Sequence, residues 1–552
     1  MKRLQLALLA TALLLHALAP LAAAGTPAET SLAALRAHLE FLASDALEGR
    51  DTGSRGYEIA ALYASAQFRQ WGLAPGAGEA YLQPVPLLEM QRSASSVEVL
   101  SDRGSESLAW THDYVLSSRP GAPELTLVAP VVFAGFGIDA PAFGRADYDG
   151  IDVAGKIVLV LTGAPADFAS EVRAHYASSR QKRVEASRRG AVGLLTLKTR
   201  DDERRSAWER SVLNADRPSM TWIAPDGSPV DDSPALQFTG ALSWAGARKL
   251  LAGGAVTLDS LLDLGDAGGR GSRALDARLR VQASTSRRQL TSPNVVAVLP
   301  GSDPALRDEL VVCTAHLDHV GIGAEVDGDA IYNGFYDNAM GSAMVLEMAR
   351  VLAASPARPR RTVVFLLVTG EERGLLGSDY FAQHPSVPGS LVANVNLDMP
   401  LFLHPVADVV GFGAEETTLG ALARTAVETN GFELSPDPEP EESIFVRSDQ
   451  YSFVRQGVPA IYLDTGFASR DGGDGGRQAS AEFRERHYHR PSDAPGLGAD
   501  WDGVRRFTAA NIALVRAIAD AEERPRWLPG SFFGELFGGA AAQGSGATPS
   551  SR

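Results

Sequence analysis

The chain has 552 residues, of which 45% are hydrophobic and 21% are charged, and its formal net charge is −16. This length exceeds what one hydrophobic core usually organises, so the sequence predicts two or more domains. The composition is typical of a globular protein and excludes fibrous and disordered classes, apart from the two ends of the chain. The negative net charge disfavours nucleic acids and anionic membrane surfaces as partners.

The first residues have the pattern of an export signal. Lys2 and Arg3 precede an apolar run over residues 6–15, and alanines at 22–24 offer a cleavage site before Gly25. The run is short for a bilayer-spanning helix, which favours a cleaved signal; an uncleaved membrane anchor is the alternative interpretation. We predict a signal peptide over residues 1–24, an exported product that is periplasmic or secreted, and no membrane contact after cleavage. Cleavage removes two cations and no anions, which changes the net charge from −16 to −18.

Two helices and then a β-like region follow the signal. Ser31 is the predicted N-cap of the first helix, and the second helix spans roughly residues 57–71. From about residue 90 the pattern changes to short strands and predicts a separate β-rich module. These strands cover residues 127–138, 156–161 and 193–197. The basic stretch 180–189 is typical of a solvated helix face.

The second half of the chain alternates strand-like and helical segments. This alternation predicts an α/β fold with a mainly parallel central sheet flanked by helices. Strands are predicted over residues 310–315, 363–368, 391–397 and 460–463, and helices over residues 338–353 and 419–429. Cys313 is the only cysteine, which excludes an intramolecular disulfide, and its apolar neighbours predict a buried structural thiol.

The predicted domains follow from these changes of pattern. Residues 25–90 and 285–525 form one discontinuous domain, and residues 91–284 form an inserted module. Residues 526–552 are predicted to be a flexible tail, in which three phenylalanines are candidates for local docking. These are Phe532, Phe533 and Phe537.

Metal-capable side chains cluster where the predicted strands end, which is where an open α/β sheet builds its site. In chain order they are His316, Asp318, His319, Asp337, Glu371, Glu372, Asp398, His487 and His489. Each has an ordinary structural interpretation when it is taken alone. Their coincidence favours a functional site, since several successive strands end in such groups and four of the ten histidines fall in two short motifs.

Two imidazoles and three carboxylates favour a zinc-class site, because an all-oxygen set would favour magnesium or calcium. Asp337 is the natural bridge between two ions about 3.5–4 Å apart. Five protein ligands then give each ion three contacts and leave a position for a shared water. Of Glu371 and Glu372, one binds metal and the other takes the proton of that water. Asp318 fits a partner that orients the imidazole of His316.

On these residues the sequence resembles the M28 family of cocatalytic zinc peptidases, which includes bacterial aminopeptidases. The matching motifs are His316-x-Asp318, Asn-Gly-Phe-Tyr-Asp-Asn-Ala-Met-Gly over 333–341, Gly370-Glu-Glu372, Asn396-Leu-Asp-Met399 and Tyr488-His489. The resemblance covers about residues 30–90 and 285–525, and the inserted segment resembles a protease-associated domain.

The resemblance implies a zinc-dependent exopeptidase fold, two Zn²⁺ ions and peptide substrates. It implies one zinc site completed by His316 and Asp398, a second completed by Glu372 and His489, and Asp337 as the bridge. Glu371 is implied as the general base and later as the acid that protonates the leaving amine. Tyr488 is implied as a hydrogen-bond donor to the oxyanion.

Phe335, Tyr336 and Met340 depart from the smaller or more polar residues usual in the family's Asp337 motif, so we expect them to reshape the substrate pocket. The alternatives to an aminopeptidase are a glutaminyl cyclase or carboxypeptidase on the same fold, and a non-catalytic, receptor-like binding protein. The acidic stretch 437–442 either favours cationic substrates or is a solvated loop. The inserted module either walls the cleft or is a spacer. The oligomeric state has no signature in the sequence.

Overall fold

The computed structural model describes residues 29–102, 104–121, 123–213 and 215–541. The predicted signal peptide, residues 1–24, lies outside these described residues, and export therefore stays a prediction. Within the described part of the chain, none of the helices combines the length and the hydrophobicity that a bilayer-spanning segment requires.

The secondary structure alternates between strands and helices through most of the described chain. The strands are β1 (Ala74–Pro75), β2 (Leu82–Ser101), β3 (Gly104–Leu108), β4 (Tyr114–Ser117), β5 (Glu124–Ala134), β6 (Asp139–Ala140), β7 (Arg145–Ala146), β8 (Ile157–Leu161), β9 (Gly193–Leu197), β10 (Ser219–Trp222), β11 (Phe238–Leu242), β12 (Ser272–Leu299), β13 (Glu309–His316), β14 (Gly321–Val326), β15 (Asp329–Tyr332), β16 (Thr362–Val368), β17 (Ser390–Asn396), β18 (Asp408–Phe412), β19 (Glu433–Ser435) and β20 (Ala460–Thr465).

The α-helices are α1 (Leu32–Leu42), α2 (Arg55–Gln70), α3 (Ser170–Ala177), α4 (Ser179–Arg188), α5 (Arg200–Arg205), α6 (Trp208–Val212), α7 (Trp244–Leu250), α8 (Leu258–Asp266), α9 (Gly341–Ala354), α10 (Leu376–Gln383), α11 (Leu419–Thr429), α12 (Gln450–Val454), α13 (Gly475–Arg486), α14 (Trp501–Asp520) and α15 (Phe532–Ala541). Short helical turns cover Asp45–Arg50, Pro141–Phe143, Phe335–Met340, Pro440–Glu442, Ile444–Val446 and Pro495–Leu497. The predicted N-cap of α1 is confirmed, because the Ser31 hydroxyl accepts a hydrogen bond from the Ala34 N–H at 3.2 Å.

A large sheet organises the described residues. The part of this sheet that is built from the second half of the chain contains β16, β13, β17 and β20 side by side, all parallel to one another. β13 and β16 are buried at nearly every position, as expected for parallel strands covered on both faces. The predicted α/β class with a mainly parallel central sheet is confirmed, and these four strands begin and end within two residues of their predicted positions.

Cys313 lies in the middle of β13 and is fully buried. Burial raises the pKa of its thiol, so the side chain stays protonated at neutral pH. These properties agree with the predicted structural thiol, because a reactive cysteine requires an accessible thiolate.

The inserted segment shares the same sheet. β2 and β12 pair antiparallel over most of their length. Along its other edge β12 pairs with β5 near its start and with β16 near its end. Beyond β5 the order continues through β8, β9, β11 and β4. The predicted boundaries near residues 90 and 285 therefore fall inside two continuous strands.

Residues from this segment nevertheless form hydrophobic clusters of their own, separate from the cluster around α1, α2, α9 and α14. The segment also contains α3 to α8, which is more helix than the predicted β-rich module. The basic helix face expected over residues 180–189 is not fully solvated. Lys182 is buried and donates hydrogen bonds to the carbonyls of Phe136 and Gly163, and burial lowers its pKa to about 7.

Within the predicted tail, the described residues 526–541 include the packed helix α15. Trp527 Nε1 donates to the Gly457 carbonyl at 2.9 Å, and Phe533 of α15 is fully buried. The Phe533 ring packs against Phe445, in the second half of the chain, and against His175 of α3, with centroids 5.2 and 6.2 Å apart. The aromatic side chains thus fix α15 across both parts of the chain, as expected for the docking candidates Phe532, Phe533 and Phe537.

Phe533→Ala should release α15. Truncating a buried phenylalanine costs about 3–5 kcal/mol, which corresponds to roughly 100-fold or more faster local opening. The matched control is Leu536→Ala on the same helix, where the side chain is 46% exposed. We expect mass spectrometry to show rapid proteolytic cleavage after residue 526 only in the Phe533 variant, and equal protection of both variants would contradict the docked tail.

Candidate metal centre

The five predicted ligands meet at one edge of the parallel strands. His316 is the last residue of β13, while Glu372 and Asp398 lie a few residues beyond the ends of β16 and β17. Asp337 lies in the turn Phe335–Met340, and His489 follows α13. Because parallel strands present their carboxyl ends at one edge, residues far apart in sequence come within a few ångströms.

The two oxygens of Asp337 face different imidazoles. His316 Nε2 is 3.3 Å from Asp337 Oδ1 and 3.1 Å from Asp398 Oδ1. His489 Nε2 is 3.2 Å from Asp337 Oδ2 and 3.1 Å from Glu372 Oε2. Asp337 is thus shared by two clusters, each with one imidazole and one further carboxylate, and nitrogen and oxygen donors of this kind fit zinc-class cations.

His319 is an additional member of the site. It is fully buried, its Nδ1 is 2.9 Å from Glu372 Oε1, and both ring nitrogens lack a well-oriented hydrogen-bond partner among the described residues. It forms a metal-capable group with Asp337 and Glu372. His319 belongs to the cluster predicted from the sequence but has no predicted role there. Its position three residues after His316 is the signal that the sequence offers for such a role.

The electrostatics of the site favour a bound cation. Burial would lower the pKa of His316, but the carboxylates of Asp398, Glu371 and Asp337 raise it well above its usual range. For Glu372, burial would raise the pKa, but His489 and His319 hold it well below its usual range. Positively charged imidazoles thus lie between the buried carboxylates, at the position where a metal ion would supply the same positive charge.

The carboxylate of Asp493 supports the backbone of the turn that carries Asp337. Its carboxylate accepts hydrogen bonds from the backbone N–H of Tyr336 and of Asp337, at 3.0 and 3.1 Å. The predicted helix start at residue 338 is wrong, because Asp337 and Asn338 have non-helical backbone angles and α9 begins at Gly341. This irregular turn directs the Asp337 side chain towards the strand ends.

Arg50 supports the same turn through hydrogen bonds to backbone carbonyls. Its buried guanidinium donates to the carbonyls of Leu317, Asn333 and Gly334 at 2.9, 2.6 and 3.1 Å. Gly334 has φ +60°, and a Cβ there would lie 2.5 Å from Cγ of His319. Only glycine fits at this position, because the backbone passes directly against the imidazole.

Asp318 supports the site differently from the prediction. His316 Nδ1 lies 3.0 Å from the backbone oxygen of Asp318, so the carbonyl and not the carboxylate orients this imidazole. The carboxylate instead accepts hydrogen bonds from the N–H groups of Glu371 and Glu372, at 3.2 and 3.4 Å, and from the Thr52 hydroxyl at 3.0 Å. Asp318 therefore positions the loop of the paired glutamates.

Phe335, Tyr336 and Met340 lie on the core side of the turn that carries Asp337. All three are buried in the hydrophobic cluster beneath the site, and the Tyr336 hydroxyl donates to the Gly498 carbonyl at 2.7 Å. Their effect on the shape of the substrate pocket therefore stays a prediction. These large side chains support the turn from its core side.

A cavity of about 1450 Å³ opens beside the centre. Glu371, Glu372 and Tyr488 line it, and so do residues of the inserted segment such as Arg210. The Tyr488 ring stacks on His489 with a centroid distance of 3.9 Å. Burial raises the pKa of Tyr488, so its hydroxyl stays protonated and can donate a hydrogen bond.

The acidic stretch 437–442 lies on the same cavity and is not a free solvated loop. Asp437 accepts a hydrogen bond from the Ser170 hydroxyl at 2.8 Å, and Glu439 is 2.7 Å from Arg484. These carboxylates are thus largely paired with neighbouring groups, which weakens their pull on a cationic substrate.

Comparisons with known proteins agree with this geometry. Residues 294–515 match the model of the family described as Peptidase family M28. A probable zinc metalloprotease of Pyricularia oryzae is 36% identical over 296 residues, which cover 47% of this chain and 56% of that protein. An aminopeptidase of Pseudomonas aeruginosa is 31% identical over 203 residues, 35% of each chain. The chain thus spans about half, or less, of the length of these curated relatives.

A solved aminopeptidase from Aneurinibacillus sp. strain AM-1 aligns with 90% of this chain and 95% of its own, with a TM-score of 0.51 and 18% identity. At this identity the likeness shows a shared fold. The inserted segment lies outside residues 294–515, so its resemblance to a protease-associated domain stays a prediction. The segment that carries the candidate metal centre, residues 294–515, belongs to peptidase family M28.

Proposed function

We propose that the chain is an exported, dinuclear zinc exopeptidase, and specifically an aminopeptidase that removes N-terminal residues from peptides. The observation that carries this proposal is the position of Asp337 between two imidazole–carboxylate clusters. The side chain of Glu371 lies beside these clusters and lines the cavity. Family membership supports the hydrolysis of peptide bonds, and the names of the relatives support the zinc and aminopeptidase assignments.

In this proposal His316 and Asp398 hold one ion, Glu372 and His489 hold the other, and Asp337 is shared. Four carboxylates meet here if Glu371 is included, and two divalent cations carry the charge that offsets them. When bound, zinc would supply Lewis acidity and lower the pKa of a water molecule, so that hydroxide would be available as the nucleophile at neutral pH. Ser448 keeps Asp398 oriented, because its hydroxyl donates to Asp398 Oδ2 at 2.6 Å.

Glu371 is the proposed proton carrier. Burial raises its pKa, His316 opposes this, and the nearby Asp398 carboxylate adds to the increase. A carboxylate with a raised pKa accepts a proton from the attacking water and can return it to the leaving amine nitrogen. The protonated Tyr488 hydroxyl is the proposed donor to the oxyanion that develops on the substrate carbonyl.

The inserted segment, residues 91–284, is proposed as a separate, protease-associated-like module that closes one side of the cleft. The support is the cavity itself, which is lined on one side by Thr162, Arg205 and Arg210 of the module, and on the other by Glu371 and Tyr488. A cleft walled in this way admits short peptides and free chain ends more readily than folded proteins.

Glu371→Gln should abolish turnover without removing metal. General acid–base groups contribute typically about 10²- to 10⁴-fold, so kcat on a panel of aminoacyl-p-nitroanilides should fall by that factor. Zinc content, measured on the same samples, should stay at the wild-type value. Glu40→Gln, at an exposed position of α1, is the matched control and should leave both quantities unchanged. Unchanged peptidase activity in the Glu371 variant would refute the assigned role.

Metal removal tests the dinuclear assignment. Dialysis against a chelator should abolish hydrolysis, and added zinc should restore it with two ions per chain by elemental analysis. Asp337→Asn should reduce the content below two, because both clusters lose a charged ligand. Asp259→Asn, where the side chain is 81% exposed, is the control. A wild-type content of one ion per chain would contradict a dinuclear centre, and release of pyroglutamate from N-terminal glutamine would then favour a cyclase.

A further inference from the structure

An acidic side chain lies on an apolar face of the large sheet, near the end of β20. Tyr462 belongs to one hydrophobic cluster and Leu463 to another, because successive residues of a strand point to opposite faces of the sheet. The same alternation places Asp464 on the face of Tyr462. A carboxylate therefore occupies a position at which the pattern of β20 predicts an apolar side chain.

The neighbours of Asp464 on this face are apolar and line the cavity beside the metal centre. Asp464 lies opposite Val410 of the antiparallel strand β18. Phe412, two residues further along β18, packs against the Tyr462 ring with a centroid distance of 5.4 Å. The cavity is lined here by Met399, Val410, Phe412 and Asp464. This end of the cavity thus has an apolar wall that contains one carboxylate.

Two hydrogen bonds attach this end of β20 to the loop that carries the predicted ligand Asp398. The Tyr462 hydroxyl donates to the backbone carbonyl of Asp398 at 2.7 Å. The Thr465 hydroxyl accepts a hydrogen bond from the Leu401 N–H at 3.1 Å. Asp464 lies between these two points of attachment, and one cavity joins it to the metal centre. The side chain of a residue bound at the metal centre can therefore extend into this end of the cavity.

The carboxylate of Asp464 has no cationic partner within the described part of the chain. Its Oδ1 accepts a hydrogen bond from the Thr465 N–H at 2.7 Å, which fixes the orientation of the carboxylate. No lysine, arginine or histidine nitrogen of the described residues lies within 4.0 Å of it. The side chain is nevertheless partly buried. A partly desolvated carboxylate without a cation costs free energy, and a bound cationic group would offset this cost.

Other carboxylates that line the same cavity are placed differently. Glu439 pairs with Arg484 at 2.7 Å, so an arginine of the protein already offsets its charge. Glu209 and Glu485 are exposed to solvent, where water and salt screen their charge. Asp464 combines partial burial, apolar neighbours and the lack of a cationic partner, which are the properties of a group that binds a cationic ligand.

We propose that Asp464 selects substrates whose N-terminal residue has a positively charged side chain, lysine or arginine. This inference rests on the proposed function and names the substrate class of that site. The apolar wall formed by Met399 and Phe412 contacts the methylene groups of such a side chain, and the Asp464 carboxylate accepts hydrogen bonds from its ammonium or guanidinium group. Selectivity for the first residue is thus built into β18, β20 and the loop after β17.

The test uses pairs of aminoacyl-p-nitroanilides that resemble each other in shape and differ in charge. The lysine compound is compared with the norleucine compound, and the arginine compound with the citrulline compound. The values of kcat/KM are measured with the zinc-loaded, full-length chain. Binding of the corresponding four amino acid amides is measured by calorimetry on the zinc-loaded Glu371→Gln protein, which gives a readout that does not require hydrolysis.

We expect the charged member of at least one pair to be favoured at least about tenfold, since its neutral partner lacks the charge-assisted hydrogen bond. Asp464→Asn should remove most of this preference, and Asp464→Glu, which keeps the charge, should retain it. Glu209→Gln and Glu485→Gln are the matched controls. Each removes one negative charge from the same cavity, and each should keep the preference because these side chains are exposed.

The outcomes separate this inference from the proposed function. Equal values within both pairs, or a preference that survives Asp464→Asn, overturn the assignment of Asp464 even if peptides are hydrolysed. An equal loss for charged and neutral probes in Asp464→Asn also overturns it, because that result indicates a structural role or binding of the α-amino group common to all substrates. A calorimetric preference that depends on Asp464, without hydrolysis of any probe, refutes the peptidase assignment and supports the cation site.

Discussion

The burial of several carboxylates at one edge of a parallel sheet is the constraint on which this structure depends. Asp337 and Glu372 are almost inaccessible to solvent and lie close to each other, and few arrangements tolerate such charges without a cation. Their positions are fixed by groups that do not belong to the cluster, such as Arg50, Asp493 and Asp318. The fold therefore holds several negative charges close together, at a position where a bound cation would offset them.

The cleft beside this centre is built jointly by the two halves of the chain. β2 and β12 extend from the catalytic sheet into the inserted segment, so the segment cannot rotate freely about a flexible linker. The packing of α15 against α3 and Phe445 joins the same two halves at a second place. Because both connections are made through well-packed elements, a side chain of the inserted segment can approach the metal centre at a defined position.

Local patterns in the sequence were sufficient for the main elements and for the five candidate ligands. Apolar runs identify β13 and β16, and polar residues at strand ends identify His316, Asp337 and Asp398, because sheet topology alone brings strand ends together. Properties that depend on contacts between distant segments were not accessible. The carboxylate of Asp318 contacts a loop more than fifty residues away, and the direction of each side chain in an irregular turn follows from three-dimensional packing.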